Sequence, residues 1–167
     1  TDSYSNDKET HYNTNYKGVS NLVEFCNKWN QKLIHISTEF VYANNLEPPN
    51  ELDIPQPDNT WYAYTKLLAD EHIKTFCKKY LICRELHKPN NISHKHVWNV
   101  LTSGDTVNNI TKLIIQLIKK DAKGIFNVGT GDKSLLKLYP KGKLINPPKH
   151  VPKDTRMDLT KLKNFLK

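Results

Sequence analysis

The chain is poor in glycine, arginine and cysteine, and it contains no long apolar run. Each shortage excludes something. There are six glycines, and the first, Gly18, falls inside a stretch that reads as helix. No strand, glycine loop and helix of the kind that cradles phosphate groups therefore stands near the start. Two later glycine patterns are decoys. Gly129-Thr130-Gly131 lacks a third glycine because position 134 is Ser, and Gly131-Asp132-Lys133-Ser134 has Asp where a phosphate loop needs Gly-Lys-Ser in succession. Both read as a turn. Only Arg84 and Arg156 are arginines, so the net charge of +8 comes from lysines spread along the sequence. Without an arginine cluster or a stacking-aromatic motif, that charge does not make a nucleic-acid face. It suits phosphate-bearing ligands in a general way. Cys26, Cys77 and Cys83 are odd in number and show no C-x-x-C spacing. They read as reduced, buried thiols of a cytoplasmic protein rather than as a disulfide framework. His87, His94 and His96 are joined by no cysteine or carboxylate at a ligand spacing, so no metal site is expected. No apolar segment approaches the length of a membrane span, so no membrane partner is expected either.

Apolar periodicity organises what remains. A helix is expected over Tyr16–Asn30, with Leu22, Val23, Phe25, Cys26 and Trp29 available to bury. Leu33–Ile36 reads as a short buried strand, Trp61–Tyr80 as a long helix and Leu81–Arg84 as the next strand. Pro48, Pro49, Pro55 and Pro57 make residues 44–59 a loop. Thr106–Lys120 is a helix with Ile110, Leu113, Ile114 and Leu117 at helical spacing, and Ile125–Val128 is a strand. Residues 85–101 read as irregular and 140–152 as a loop; Leu159–Leu166 closes the chain as a helix after Asp158. Strands alternating with helices give an α/β fold with a mainly parallel sheet.

The chemistry gathers between positions 34 and 66. Ser37-Thr38 follows the apolar run Ile34-His35-Ile36. In open α/β sheets, ligands bind outside the carboxyl ends of strands, where a hydroxyl can bond a carbonyl oxygen. Tyr62 and Lys66 stand four residues apart on the following helix, so they share a face. An ammonium beside a phenol lowers its pKa toward the working pH, as a general acid or base near neutrality requires.

These segments resemble an extended short-chain dehydrogenase/reductase of the sugar-nucleotide epimerase, dehydratase and reductase group. Asn15-Tyr16-Lys17-Gly18-Val19-Ser20-Asn21-Leu22 resembles the family's N-x-x-G-x-x-N-L helix, and Ser37-Thr38-Glu39-Phe40-Val41-Tyr42 its S-T-D-x-V-[FY] segment. Asn59 to Leu67 resembles P-x-N-x-Y-[GA]-x-[ST]-K-x, Leu81-Ile82-Cys83-Arg84 the strand that ends in Arg, and Gly124 to Gly129 the late strand G-x-[YF]-N-[VI]-G. Thr102 to Asp105 resembles the entry to a substrate-domain helix. Phe40 stands where the 4,6-dehydratases carry a second carboxylate, which points to the dTDP-4-dehydrorhamnose reductase type; there Glu39 replaces the usual Asp, and Ala43 stands where Gly is common.

The resemblance implies an incomplete Rossmann-like fold, doubly wound and mainly parallel, with a small C-terminal substrate-binding subdomain. Residues 1–101 would be the C-terminal part of the NAD(P)-binding domain and 102–167 the substrate-binding elements. It implies NADP or NAD as cofactor and a nucleotide-sugar substrate whose keto group is reduced. Thr38, Tyr62 and Lys66 would be catalytic, with Tyr62, Lys66 and Ser37 at the cofactor and Asn15, Ser37 and Glu39 in support. About the first third of such an enzyme, including its glycine loop, is not represented. A homodimer or another partner completing the sheet, a sugar-nucleotide epimerase, and a non-catalytic regulatory or scaffold subunit stand as alternatives.

Overall fold

The structure is a computed structural model and describes residues 3–90 and 95–167. Helix α1 (Lys8–His11) opens the described chain and runs through a π-helical stretch (Tyr12–Lys17) into α2 (Gly18–Lys28). Strand β1 (Leu33–Ile36) and a 3-10 turn (Glu39–Tyr42) lead to α3 (Trp61–Phe76) and β2 (Tyr80–Glu85). Short strands β3 (His87–Lys88), β4 (His96–Trp98), β5 (Leu101–Thr102) and β6 (Asp105–Thr106) precede α4 (Val107–Lys119) and β7 (Gly124–Val128). Strand β8 (Lys133–Ser134), α5 (Leu135–Leu138), β9 (Lys143–Ile145), β10 (Asp154–Thr155) and α6 (Thr160–Leu166) complete it.

The main sheet has the order β1-β2-β7, parallel throughout, with Ile36 opposite Cys83 and Cys83 opposite Phe126. Alternation along β2 sends Ile82 to one face and Leu81 and Cys83 to the other. On the first face, Val19, Val23 and Cys26 of α2 and Ala69 and Ile73 of α3 close over Leu33 and Ile82. On the second, Ile110 and Leu117 of α4 and Leu162 of α6 close over Cys83, Phe126 and Val128. Helices on both faces of a parallel sheet make the layer doubly wound, as expected. Each large apolar side chain in these layers stabilises the fold by about 1.5–3 kcal/mol relative to exposure.

The helical start lies earlier than periodicity indicates. Asp7 accepts the backbone N–H of Thr10 at 3.0 Å and caps α1, so helix begins in a polar segment with no apolar repeat. The long helix stops at Phe76 rather than at Tyr80, because Cys77 turns extended and Tyr80 joins β2 opposite Leu33. Residues 85–101 and 140–152, expected to be irregular, carry β3, β4, β5 and β9. Among these, β4 pairs with β9 and β3 with β6. Strands β10, β5 and β8 form a third small sheet, and Val97, Val100, Leu135, Tyr139 and Val151 form a separate apolar cluster. The boundary expected at 101/102 thus falls among these small strands, while α4, β7 and α6 beyond it belong with the main sheet.

The decoy glycines form a turn after β7. Lys133 Nζ donates to Gly104 O at 2.9 Å and to Thr130 Oγ1 at 2.6 Å, and it lies 3.3 Å from Asp105 Oδ2. This knot ties the turn to the entry of α4. Cys26, Cys77 and Cys83 are free and buried. Among the described residues no helix is long and apolar enough to cross a membrane.

Candidate active site

Tyr62 stands in the first turn of α3. Thr60 caps that turn by accepting the N–H of Ala63 at 3.1 Å, and Asp58 holds Thr60 by accepting its N–H at 3.0 Å. Thr38 sits two residues past β1 and is buried. Its Oγ1 accepts the N–H of Phe40 at 3.3 Å, and its hydroxyl stands near enough to the Tyr62 phenol to favour the phenolate. Chain reversal between β1 and α3 therefore brings Thr38 and Tyr62 together at the carboxyl end of a parallel strand. The Phe40 ring meets Tyr62 edge-on with centroids 6.1 Å apart, and the buried His11 meets it from α1 at 6.3 Å.

The electrostatics differ from the expectation. Burial raises the Tyr62 pKa above its ordinary value; the Thr38 hydroxyl opposes this, while Glu85 and Glu39 add to it. Lys66 does not lower it. The Lys66 Nζ donates instead to the Ile36 carbonyl at 2.5 Å. Its own pKa is lowered, because burial disfavours the ammonium more than Asp70 and Glu85 favour it. Helical spacing puts Tyr62 and Lys66 on one face, yet the strand end lies within reach and takes the ammonium. Tyr62 is accordingly a neutral phenol through physiological pH, able to give a proton.

The supporting residues divide. Ser37 is buried and donates its hydroxyl to Asp70 Oδ2 at 2.9 Å, so it faces a polar cluster inside the fold and not the open site expected for a cofactor contact. Asn15 donates to Thr65 Oγ1 at 3.0 Å and lies 3.5 Å from His11 Nδ1, tying the π-helical stretch to α3. Glu39 is buried and accepts from Thr102 Oγ1 at 3.1 Å. Desolvation pushes its pKa up to about 8, although Thr155, Thr102 and Lys88 favour the anion. Glu39 and Phe40 line a cavity of about 100 Å³ with Tyr4, Lys88, Trp98 and Thr102.

His11, Asp70 and Arg84 joined the site without being singled out from the sequence as site residues. Asp70 had one signal: it stands four residues beyond Lys66 on the same face of α3. His87 bonds the Glu85 carboxylate at 2.9 Å, His96 is exposed on β4, and His94 lies outside the described residues. No cluster of three or more His, Cys, Asp or Glu placed to hold a metal occurs among the described residues.

A doubly wound parallel sheet with a Thr-Tyr-Lys set at one strand end defines a Rossmann-like reductase fold of the extended short-chain type. The RmlD substrate binding domain family matches residues 1–87, about half of the sequence, and the chain belongs to that family. Among solved structures, it is similar to a hypothetical dTDP-4-dehydrorhamnose reductase from Sulfolobus tokodaii, with TM-score 0.84, 21% identity, and 98% of this chain and 70% of that one covered. The dTDP-4-dehydrorhamnose reductase of Bacillus anthracis, solved in complex with NADP, gives TM-score 0.79 and 20% identity over 95% of this chain and 68% of that one. A UDP-glucuronic acid 4-epimerase from Bacillus cereus, in complex with UDP-glucuronic acid and NAD, gives 0.78 and 19% over 98% and 64%. At these identities the likeness is one of fold. No curated protein matches the chain.

Proposed function

We propose that the chain carries the proton-donating half of an NAD(P)H-dependent reductase acting on a keto group of a nucleotide-linked sugar. The observation that carries this reading is the placement of Tyr62, in the first turn of α3 and edge-on to Phe40, beside Thr38 at the carboxyl end of β1, with burial keeping the phenol neutral. Thr38 orients the substrate carbonyl, and Tyr62 gives its proton to the oxygen as negative charge develops there. The cavity behind Phe40 receives the sugar, with the segment built on Val97, Val100, Leu135, Tyr139 and Val151 as its substrate-binding wall.

The donor set fits one end of a dinucleotide. Tyr62 and Lys66 offer a hydroxyl and an ammonium to a nicotinamide ribose, whereas no glycine turn in the sequence offers backbone N–H groups to a pyrophosphate. When bound, the reduced nicotinamide supplies the hydride. Lys66 Nζ spends one N–H on the Ile36 carbonyl and keeps two for that ribose. A second reading, a non-catalytic scaffold on the same fold, gives the Lys66 bond to the Ile36 carbonyl a purely structural role.

The reading is tested by turnover of a dTDP-4-keto-sugar with NADH or NADPH, in the full chain with whatever subunit it assembles with. Tyr62→Phe is expected to cut kcat by at least ~100-fold, the scale of one general acid, with little change in stability. Unchanged turnover removes Tyr62 from the mechanism. Absence of both turnover and dinucleotide binding in the assembled protein leaves the scaffold reading.

A further inference from the structure

Helix α3 grips the end of β1 at two consecutive residues. Lys66 Nζ bonds the Ile36 carbonyl at 2.5 Å, and one turn on, Asp70 Oδ2 accepts the Ser37 hydroxyl at 2.9 Å. Thr38 is the next residue. Asp70 is itself fixed: Arg84 Nε of β2 donates to the same Oδ2 at 2.9 Å. Arg84 in turn donates through Nη1 to the Tyr42 hydroxyl and stacks over the Tyr42 ring at 4.7 Å. Tyr42 Oη donates onward to the Asn50 carbonyl at 3.2 Å. Ser37, Tyr42, Asp70 and Arg84 are all buried.

Stability alone is a poor reason for this cluster. A buried ion pair generally does no better than apolar residues of the same volume. This one is also incompletely satisfied: His35 Nε2 faces Asp70 Oδ1 at 3.6 Å, too long for a hydrogen bond, and Arg84 Nη2 has no partner. What it does supply is direction, since Lys66 and Asp70 fix Ile36 and Ser37, the two residues that lead into Thr38.

We infer that Asp70, locked by Arg84, is a positioning residue that acts through Ser37 to hold Thr38 in its place beside Tyr62. The inference rests on the reading of Thr38 and Tyr62 as the reacting pair, but its test does not need turnover. Asp70→Asn strips Arg84 of its buried counter-charge, so the decisive variant is Ser37→Ala, which removes one hydroxyl and leaves the ion pair in place. The readout is the 13Cζ resonance of Tyr62 in 13C-tyrosine-labelled full chain at neutral pH, assigned with Tyr62→Phe. Thr38→Val calibrates the resonance without the Thr38 hydroxyl.

Ser37→Ala is expected to move the Tyr62 line most of the way to its Thr38→Val position, and Ser37→Thr to restore it. Leu117→Ala, a cavity in the α4 layer, is expected to lower stability without moving the line, which separates positioning from general loosening. A Ser37→Ala line at the wild-type position, with Thr38→Val displaced, overturns the inference and leaves the proposed function standing. A Thr38→Val line at the wild-type position overturns the Thr38–Tyr62 pair, and both readings with it.

Discussion

Glu39 shows what burial does to a single carboxyl. With its pKa pushed up to about 8, the folded chain keeps a proton that the unfolded chain, with its glutamate near 4.5, releases. The sign follows. The stability Glu39 contributes is complete below the unfolded pKa and is lost as pH rises through the folded value. The slope in that window is at most about 1.4 kcal/mol per pH unit. Glu39→Gln keeps an oxygen for Thr102 and removes the titration, so melting curves from pH 5 to 8 are expected to fall less steeply for the variant. Parallel curves would show that Glu39 ionises normally. His35 works in the opposite direction: burial and Lys66 lower its pKa to about 3, so acid below the ordinary histidine range favours unfolding in both proteins and cancels in the comparison. At this scale the sequence was legible where chemistry is local. Thr38 and Tyr62 follow from strand, turn and helix order. The Ser37–Asp70–Arg84 cluster spans three elements, and periodicity assigns Asp70 only as a polar helix position. Spacing gives neighbours, whereas desolvation and the nearby Ile36 carbonyl decide where the Lys66 charge goes.

Among the elements, two glycines predict opposite outcomes. A Cβ at Gly129 would overlap the Ser103 backbone, and Thr130 N bonds the same Ser103 carbonyl at 3.0 Å, so neither strand end can yield. Gly129→Ala is expected to cost about 1–3 kcal/mol in urea unfolding, the range for overpacking. Gly18 has ordinary helical dihedrals where the π-helical stretch meets α2, and an added Cβ there meets nothing nearer than Asn13 O at 3.5 Å. Gly18→Ala is expected to stabilise by about 0.5–1 kcal/mol in the same assay. Equal effects at the two positions would contradict the close approach at Gly129. The three parallel strands and the helices α2, α3, α4 and α6 were visible because each repeats its own apolar period over several residues. Strands β3, β5, β6, β8 and β10 are two residues long, too short for any period, and exist only because a neighbouring segment supplies the pairing. The early start of α1 rests on the single cap Asp7, with no apolar stripe behind it.

For the whole molecule the consequence lies at the outer edge of β1. Among the described residues, β1 pairs only with β2, so its other edge is open. Leu22 and Phe25 of α2 and its C-cap Trp29 form an apolar stripe that is 50%, 55% and 57% exposed, and Ile36, on the α4 side of the sheet, is 39% exposed. An open edge flanked by apolar side chains is a template for pairing with another strand. The net charge of +8 opposes contact between copies, and that repulsion is screened as salt rises. The chain on its own is therefore expected to be monomeric at low ionic strength and to associate at high ionic strength, read as weight-average mass by sedimentation across a concentration series. Phe25→Lys with Trp29→Lys replaces the centre of the stripe by charge without touching Val19, Val23 or Cys26, which face the core. This double variant is expected to stay monomeric in both salts and to unfold at nearly the wild-type denaturant concentration. Salt-induced association that persists in the double variant would place the contact elsewhere. Its loss would place the contact on this face of α2.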